Sequence, residues 1–377
     1  MLEIPSSMIR EIAAKRRPSS IDLGLGEPTL LPNPAHFDAA MAYVRERGVK
    51  YLPNAGDPAL REAIARHYDY PGMHDAENVC VTTGSQEAMY VTIKTLLDPD
   101  KDELLVVEPT FPSYFKMARL EGVAARGVAM SEADDFALDA QRIVDAIGER
   151  TRAIVICSPN NPTGRVLSRE QAEILVRALE ARGGEPIWLI HDEIYREQTF
   201  VDDEAFLAER YPHTIVTNSL SKSNALTGLR LGWILGPKEV IAQAIKAHAW
   251  VTSCTDTFAQ RVALGVFTQL GGVNEHVSWY RGQWAGMMEA LAESPLRSIK
   301  PEGSFYACVA LPPGMDSRRT AIALIEEHDV LAIPGIAFGS VFEGWLRLSW
   351  VAPLDAVREG LHRIERYCAD HGPGGPA

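Results

Sequence analysis

Residues 153–164 read Ala-Ile-Val-Ile-Cys-Ser-Pro-Asn-Asn-Pro-Thr-Gly, five apolar residues followed by a turn of serine, proline, asparagine and glycine. A short, continuous, β-branched apolar run stopped by turn formers marks a strand buried on both faces. The same pattern recurs at Val79–Thr82, Leu104–Val107, Ile187–Ile190 and Thr214–Thr217, with helical stretches between the runs. After Gly84, for example, Met89, Ile93, Leu96 and Leu97 recur at a spacing that lines one helical face. Working outward from 153–164, the chain predicts an α/β fold: a mainly parallel sheet sandwiched by helices. Leu231–Leu235 is a sixth run, too close behind Thr217 for a crossover helix, so antiparallel pairing is open to it.

Beyond residue 275 the texture changes to a long mixed helix, a strand-like Ser304–Leu311, a helical Arg319–Glu327 and a strand Trp345–Trp350. This predicts a smaller α+β domain. The first 45 residues do not fit the parallel sheet, so residues 1–45, an N-terminal arm included, are expected to join 275–377, leaving 46–274 as the large domain. No internal repeat is visible, and the Gly- and Pro-rich tail Gly372–Ala377 reads as a frayed end.

The 377 residues suffice for two or three packing units, and 46% hydrophobic against 23% charged residues excludes a disordered or fibrous chain. The net charge of −13 removes any general attraction to nucleic acid or anionic lipid, so an anion site must be local. Cys80, Cys157, Cys254, Cys308 and Cys368 are scattered and form no CxxC pair, so they read as reduced thiols with no metal site. Met1–Arg17 mixes charges through its apolar residues, unlike a signal peptide, and no stretch has the apolar length of a membrane span. A cytoplasmic protein is expected.

In an open α/β sheet, ligands bind beyond the carboxyl ends of the strands. Gly84-Ser85-Gln86, Phe111, Asn161, Asp192 with Tyr195, and Ser219-Leu220-Ser221-Lys222 follow five successive runs at that edge. Together they supply an anion-binding turn, an aromatic ring, an amide, a carboxylate with a phenol, and a lysine flanked by hydroxyls. Each has a plainer reading. Ser85 or Asp192 could cap a helix, Asn161 could form a turn, Phe111 could be core, Lys222 and Arg230 could be surface cations, and Arg347, alternating with Leu346 and Leu348, could face solvent. What favours chemistry is one set of groups suited to one cofactor.

Five local sequences carry a family resemblance: Ser-Pro-Asn-Asn-Pro-Thr-Gly (158–164), Asp-Glu-Ile-Tyr (192–195), Ser-Leu-Ser-Lys with Gly-Leu-Arg-Leu-Gly (219–232), Pro-Gly-Ile-Ala-Phe-Gly (334–339) and Leu-Arg-Leu-Ser (346–349). In their order and spacing the chain resembles the class I/II aminotransferases of the fold-type I pyridoxal-phosphate superfamily over nearly its whole length. The resemblance implies pyridoxal 5′-phosphate as cofactor, amino acids and 2-oxo acids as substrates, and a homodimer with sites at the subunit interface. It implies that Lys222 forms the Schiff base, that Asp192 keeps the pyridine nitrogen protonated, and that Tyr195 and Asn161 bond the ring hydroxylate. Phe111 would stack on the ring, and Gly84, Ser85, Gln86, Ser219, Ser221 and Arg230 would line the cofactor and phosphate site, joined by Tyr51 from the neighbouring subunit. Arg347 would grip the substrate carboxylate, with Gly26 in a loop closing over the substrate. Tyr51 could equally be packing.

A nicotinamide dehydrogenase is a rival because Gly24-Leu25-Gly26 begins a dinucleotide fingerprint, but Thr29 replaces its third glycine and the segment runs into Pro28, Pro32 and Pro34. A cofactor-binding module fused to a DNA-binding regulator fails on charge and on the lack of a helix-turn-helix segment. Another reaction on the same scaffold, a carbon-sulfur β-lyase or a cyclase, stays open. For substrate range, Gln86 stands where relatives resembling the aspartate enzymes often have lysine, so acidic amino acids are expected to be no better donors than neutral ones, unless a cation arrives from elsewhere.

Overall fold

The computed structural model describes residues 6–268 and 272–373; the remainder of the tail, 374–377, and residues 1–5 of the N-terminal segment lie outside the described residues. Seven strands build the main sheet: β1 (Val79–Thr82), β2 (Glu103–Glu108), β3 (Ala124–Ala129), β4 (Thr151–Cys157), β5 (Trp188–Asp192), β6 (Thr214–Ser219) and β7 (Gly232–Leu235). Their order is β1-β7-β6-β5-β4-β2-β3. The ladders from β3 through β6 are parallel, while β7 lies antiparallel between β6 and β1. The mainly parallel α/β sheet is therefore as expected, and the short connection before β7 takes the antiparallel option.

Alternation explains why β4 reads as unbroken apolar sequence. Ile154 and Ile156 pack with Leu167, Leu175 and Leu189 on one face, while Val155 and Cys157 pack with Tyr114 and Ile190 on the other. Each such aliphatic side chain removed from water stabilises the fold by roughly 1.5–3 kcal/mol before ordering costs. β3 has no counterpart among the expected strands. It is an edge strand of Ala-Ala-Arg-Gly-Val-Ala, paired only with β2, and within it only Val128 is buried. Small and charged residues suit an exposed edge but give no apolar signal.

Most expected boundaries shift by one or two residues, and two of the shifts bear on the site. β5 continues past its apolar residues to include Asp192, registered between Cys157 and Thr217, and β6 likewise ends on Ser219. Backbone ladders do not stop where side chains turn polar, so the chemical groups are held by the sheet itself.

The four antiparallel strands of a second sheet, β8 (Ser298–Ile299), β9 (Tyr306–Ala310), β10 (Ile333–Pro334) and β11 (Trp345–Ser349), lie in the order β10-β11-β9-β8. Helices Val277–Glu293, Ser317–Glu327 and Leu354–His371 accompany them. Near the N-terminus, Ile21–Asp22 pairs in parallel with Val330–Leu331, and Ser349 donates its N–H to Leu23 O at 2.6 Å. Among the described residues no helix is long and apolar enough to cross a membrane, and no group of histidine, cysteine and acidic residues is arranged to hold a metal.

Candidate active site

A cavity of about 490 Å³ opens at the carboxyl ends of β1 and β4–β6. Its wall takes in Gly26, Ser85, Gln86, Phe111, Asn161, Asp192, Tyr195, Ser221, Lys222, Arg230 and Arg347, residues drawn from both sheets and from the N-terminal segment. Gly84 and Ser219 do not line it, but each adjoins a residue that does: Gly84 lies against the Arg230 guanidinium, and Ser219 bonds the Ser221 N–H. Tyr51 is 89% exposed and does not line it.

One end of the cavity suits an anion. The helix Gly84–Leu96 begins there, so its first-turn N–H groups have no partners within the helix. Ser85 is not the N-cap, a position that Thr83 occupies; it lies in the first turn, at the cavity. Gly84 has φ +80°, and a Cβ there would come within 2.4 Å of Arg230 Nη2, so the guanidinium lies directly over the glycine. Arg230 itself takes a left-handed φ of 53°, and its Nη1 donates to Thr227 O at 2.8 Å. A Cβ on Gly232 would meet Ser85 N at 2.5 Å, so the β7 backbone also needs glycine to approach the helix start. Ser219 Oγ accepts the Ser221 N–H at 3.2 Å, capping the turn that carries Lys222.

Lys222 Nζ donates to Gly26 O at 2.6 Å and sits 5.7 Å from the centre of the Phe305 ring. Burial, with Arg347 and Arg230 adding to it and Glu27 opposing, pushes its amine down to about 8. Gly26 lies against Tyr306, where a Cβ would come within 1.9 Å of the hydroxyl. Arg347 does not face solvent. It is 2% exposed on β11, donates from Nη1 to Asn161 Oδ1 at 3.0 Å and from Nη2 to Gly24 O, and stacks 4.0 Å from the Tyr306 ring centre. Its Nε is buried without a partner, so part of the fork is unused.

Asp192 is buried, and burial pushes its carboxyl up to about 6 against the pull of Tyr114, Ile194 N–H, His191 and Thr217. Tyr114 donates to Oδ2 at 2.7 Å, and Ile194 N–H to Oδ1 at 3.3 Å. The next residue, Glu193, points to the opposite face of the sheet, where Tyr70 and Arg196 donate to it, fixing the backbone beneath Asp192. Tyr195 donates to Tyr306 Oη at 3.3 Å. Tyr114, Tyr306 and Arg10 all line the cavity, yet none stood out in the sequence. Tyr114 follows Phe111 by three positions, a spacing that could have suggested it; Tyr306 and Arg10 reach the site only through tertiary packing.

The model for aminotransferase class I and II matches residues 18–364. The chain belongs to that family. It is 32% identical to an aspartate aminotransferase of Pyrococcus horikoshii over 97% of this chain and 95% of the relative. It is 33% identical to an aspartate/prephenate aminotransferase of Thermus thermophilus over 92% and 90%. Among solved structures, an aspartate aminotransferase of Thermus thermophilus with maleate superposes with a TM-score of 0.88 at 30% identity, covering 96% of this chain and 97% of that one.

The family's cofactor is pyridoxal 5′-phosphate, and the residues present in this aminotransferase fit it. The cradle of Gly84, Gly232 and Arg230 admits no extra Cβ, as an approach of backbone to a phosphate requires. A lysine amine lowered toward neutrality, a buried carboxylate and a partly unpaired arginine complete the donor set.

Proposed function

We propose that this aminotransferase moves an amino group from an amino acid to a 2-oxo acid by a ping-pong mechanism in which Lys222 holds the cofactor and then carries the proton at the substrate α-carbon. The observation that carries this assignment is the convergence on one cavity of the lowered Lys222 amine, the buried Asp192 carboxylate and the buried Arg347 fork.

Pyridoxal phosphate, when bound, supplies a ring that withdraws the electrons left behind when a proton leaves the substrate α-carbon. Asp192 would hold the proton on the ring nitrogen, Asn161 and Tyr195 would donate to the ring oxygen, and Phe111 would cover a ring face. Gly84, Ser85, Gln86, Ser221 and Arg230 would hold the phosphate, with Ser219 keeping the Lys222 turn in place. Arg347 would bind the α-carboxylate common to all amino acids, and Gly26 would close the cavity above it. Lys222, once released, takes the α-proton as a base and returns it as an acid, for which an amine near neutrality is suited.

The working molecule in this proposal is a cytoplasmic homodimer. Tyr51, Val49 and Trp250 are exposed at 89%, 65% and 92% on segments tied together by Asn54 donating to Ser253 O and Thr257 to Lys50 O. An exposed apolar surface of this kind suits burial against a second copy, from which Tyr51 would reach the neighbour's phosphate. The division into a large cofactor-binding domain, 46–274, and a small one, 1–45 with 275–377, is part of the same proposal, supported by the pairing of Ile21–Asp22 with Val330–Leu331. Incubating the purified holoenzyme with a panel of amino acids and a 2-oxo acid tests the assignment. Amino-group transfer without ammonia is expected; ammonia and pyruvate release in its place would point to a lyase.

A further inference from the structure

The two oxygens of Asp192 are held differently. Oδ1 accepts the Ile194 N–H at 3.3 Å, whereas Oδ2 accepts the Tyr114 O–H at 2.7 Å, the length of a charge-assisted bond. Tyr114 is 2% exposed and lies in the first turn of the helix Ser113–Leu120 with its ring edge-on to Phe111, the centroids 6.2 Å apart and the planes at 80°. All three side chains line the cavity. The other titratable group facing Asp192 is Cys157 from β4, whose thiol burial pushes up, and Thr217 on β6 adds a hydroxyl; His191 on β5 acts on Asp192 only at a distance, since its ring lies 3.0 Å from Glu193 on the opposite face. Burial and the adjacent carboxylate also push Tyr114 well above the ordinary tyrosine range, so its hydroxyl stays a donor.

We propose that Tyr114 is a positioning residue for transamination: by donating to one oxygen of Asp192 it keeps that carboxylate ionised and aimed into the cavity, while its ring edge sets the plane of Phe111. One turn of chain would then govern both the group that meets the ring nitrogen and the group that covers the ring. The inference rests on the roles given to Asp192 and Phe111 above. A burial that favours the protonated acid makes an uncharged Asp192 the alternative that Tyr114 works against.

The test is Tyr114→Phe in the holoenzyme, which keeps the ring and removes the hydroxyl. We expect kcat to fall about tenfold with KM changed less than about twofold, the loss of one hydrogen bond to a charged group. With the cofactor ring nitrogen labelled with ¹⁵N, its resonance should leave the protonated position roughly one pH unit lower in the variant than in the wild type. In an Asp192→Asn background the same substitution should change kcat less than about twofold, because both act on one interaction. A tenfold loss in both backgrounds, or an unchanged resonance in Tyr114→Phe beside a changed one in Asp192→Asn, overturns the proposal alone. An unchanged resonance in Asp192→Asn overturns the role of Asp192 and this proposal with it.

Discussion

Arg347 Nη1 donates to Asn161 Oδ1 at 3.0 Å across 186 positions of sequence, joining a strand of the small sheet to the turn after β4. The group proposed to grip the substrate carboxylate is thus held by a group proposed to touch the cofactor ring. Arg347→Lys keeps the charge but loses the fork, so kcat/KM should fall about 10- to 100-fold, and by a similar factor for every amino donor. A loss confined to one side-chain class in steady-state kinetics across a donor panel would contradict that role.

Lys222→Ala should lower turnover by at least ~10³-fold while circular dichroism shows an intact fold. Because the free amine ionises at about 8, well below an ordinary lysine, it is mostly neutral above that pH. Reconstitution of the cofactor-free enzyme should therefore quicken as pH rises toward about 8 and then level off. Stopped-flow absorbance across pH measures this; a rate still climbing steeply at pH 10 would mean an unperturbed lysine.

Asp192→Asn should slow α-proton removal in single turnovers far more than it weakens cofactor binding. In the cofactor-free protein the sign reverses. The folded carboxyl ionises at about 6, against ~3.9 when unfolded. The folded state then binds more protons between those values, and stability falls as pH rises through that window. Cofactor-free Asp192→Asn should escape this fall, matching or exceeding wild type at pH 7 but not at pH 4. Urea denaturation at both pH values decides the matter, and a wild type that gains stability from pH 4 to 6 relative to the variant would show the acid to be favoured in its charged form.

Substrate range should turn on Gln86, whose amide donates to Ser113 Oγ at 3.3 Å in the cavity wall. Arg10 and Glu27 line the same cavity with opposite charges, and both are exposed, so solvent screens each. Aspartate and glutamate are expected to be no better donors than alanine, leucine or phenylalanine. Gln86→Lys, which keeps the first-turn backbone N–H proposed to meet the phosphate, should raise kcat/KM for the two acids about tenfold with little change for neutral donors. A clear wild-type lead for the acids would refute the expectation.

Tyr51→Phe should weaken cofactor retention several-fold without altering the donor ranking, and Trp250→Asp should shift sedimentation from dimer toward monomer. A wild type that sediments as a monomer at micromolar concentration removes the basis for both.

Most of the sheet could be read from the chain because a strand buried on both faces must be apolar throughout, as β4 is. The edge strand β3 could not, since exposure relieves it of that demand. Lys222, Asp192 and Asn161 could be picked out as candidates for a related reason: they sit in polar sequences placed directly at the ends of apolar runs, and the structure brings them to one cavity. Tertiary structure decided the rest. It turned Arg347, alternating on a strand like any surface arginine, into a buried group bonded to Asn161. It brought Gly26 to Lys222 across 196 positions and set Tyr114 against Asp192 across 78. Sequence spacing governs what a residue can do within its own element, but burial and partner depend on which elements fold against it, and those come from distant parts of the chain.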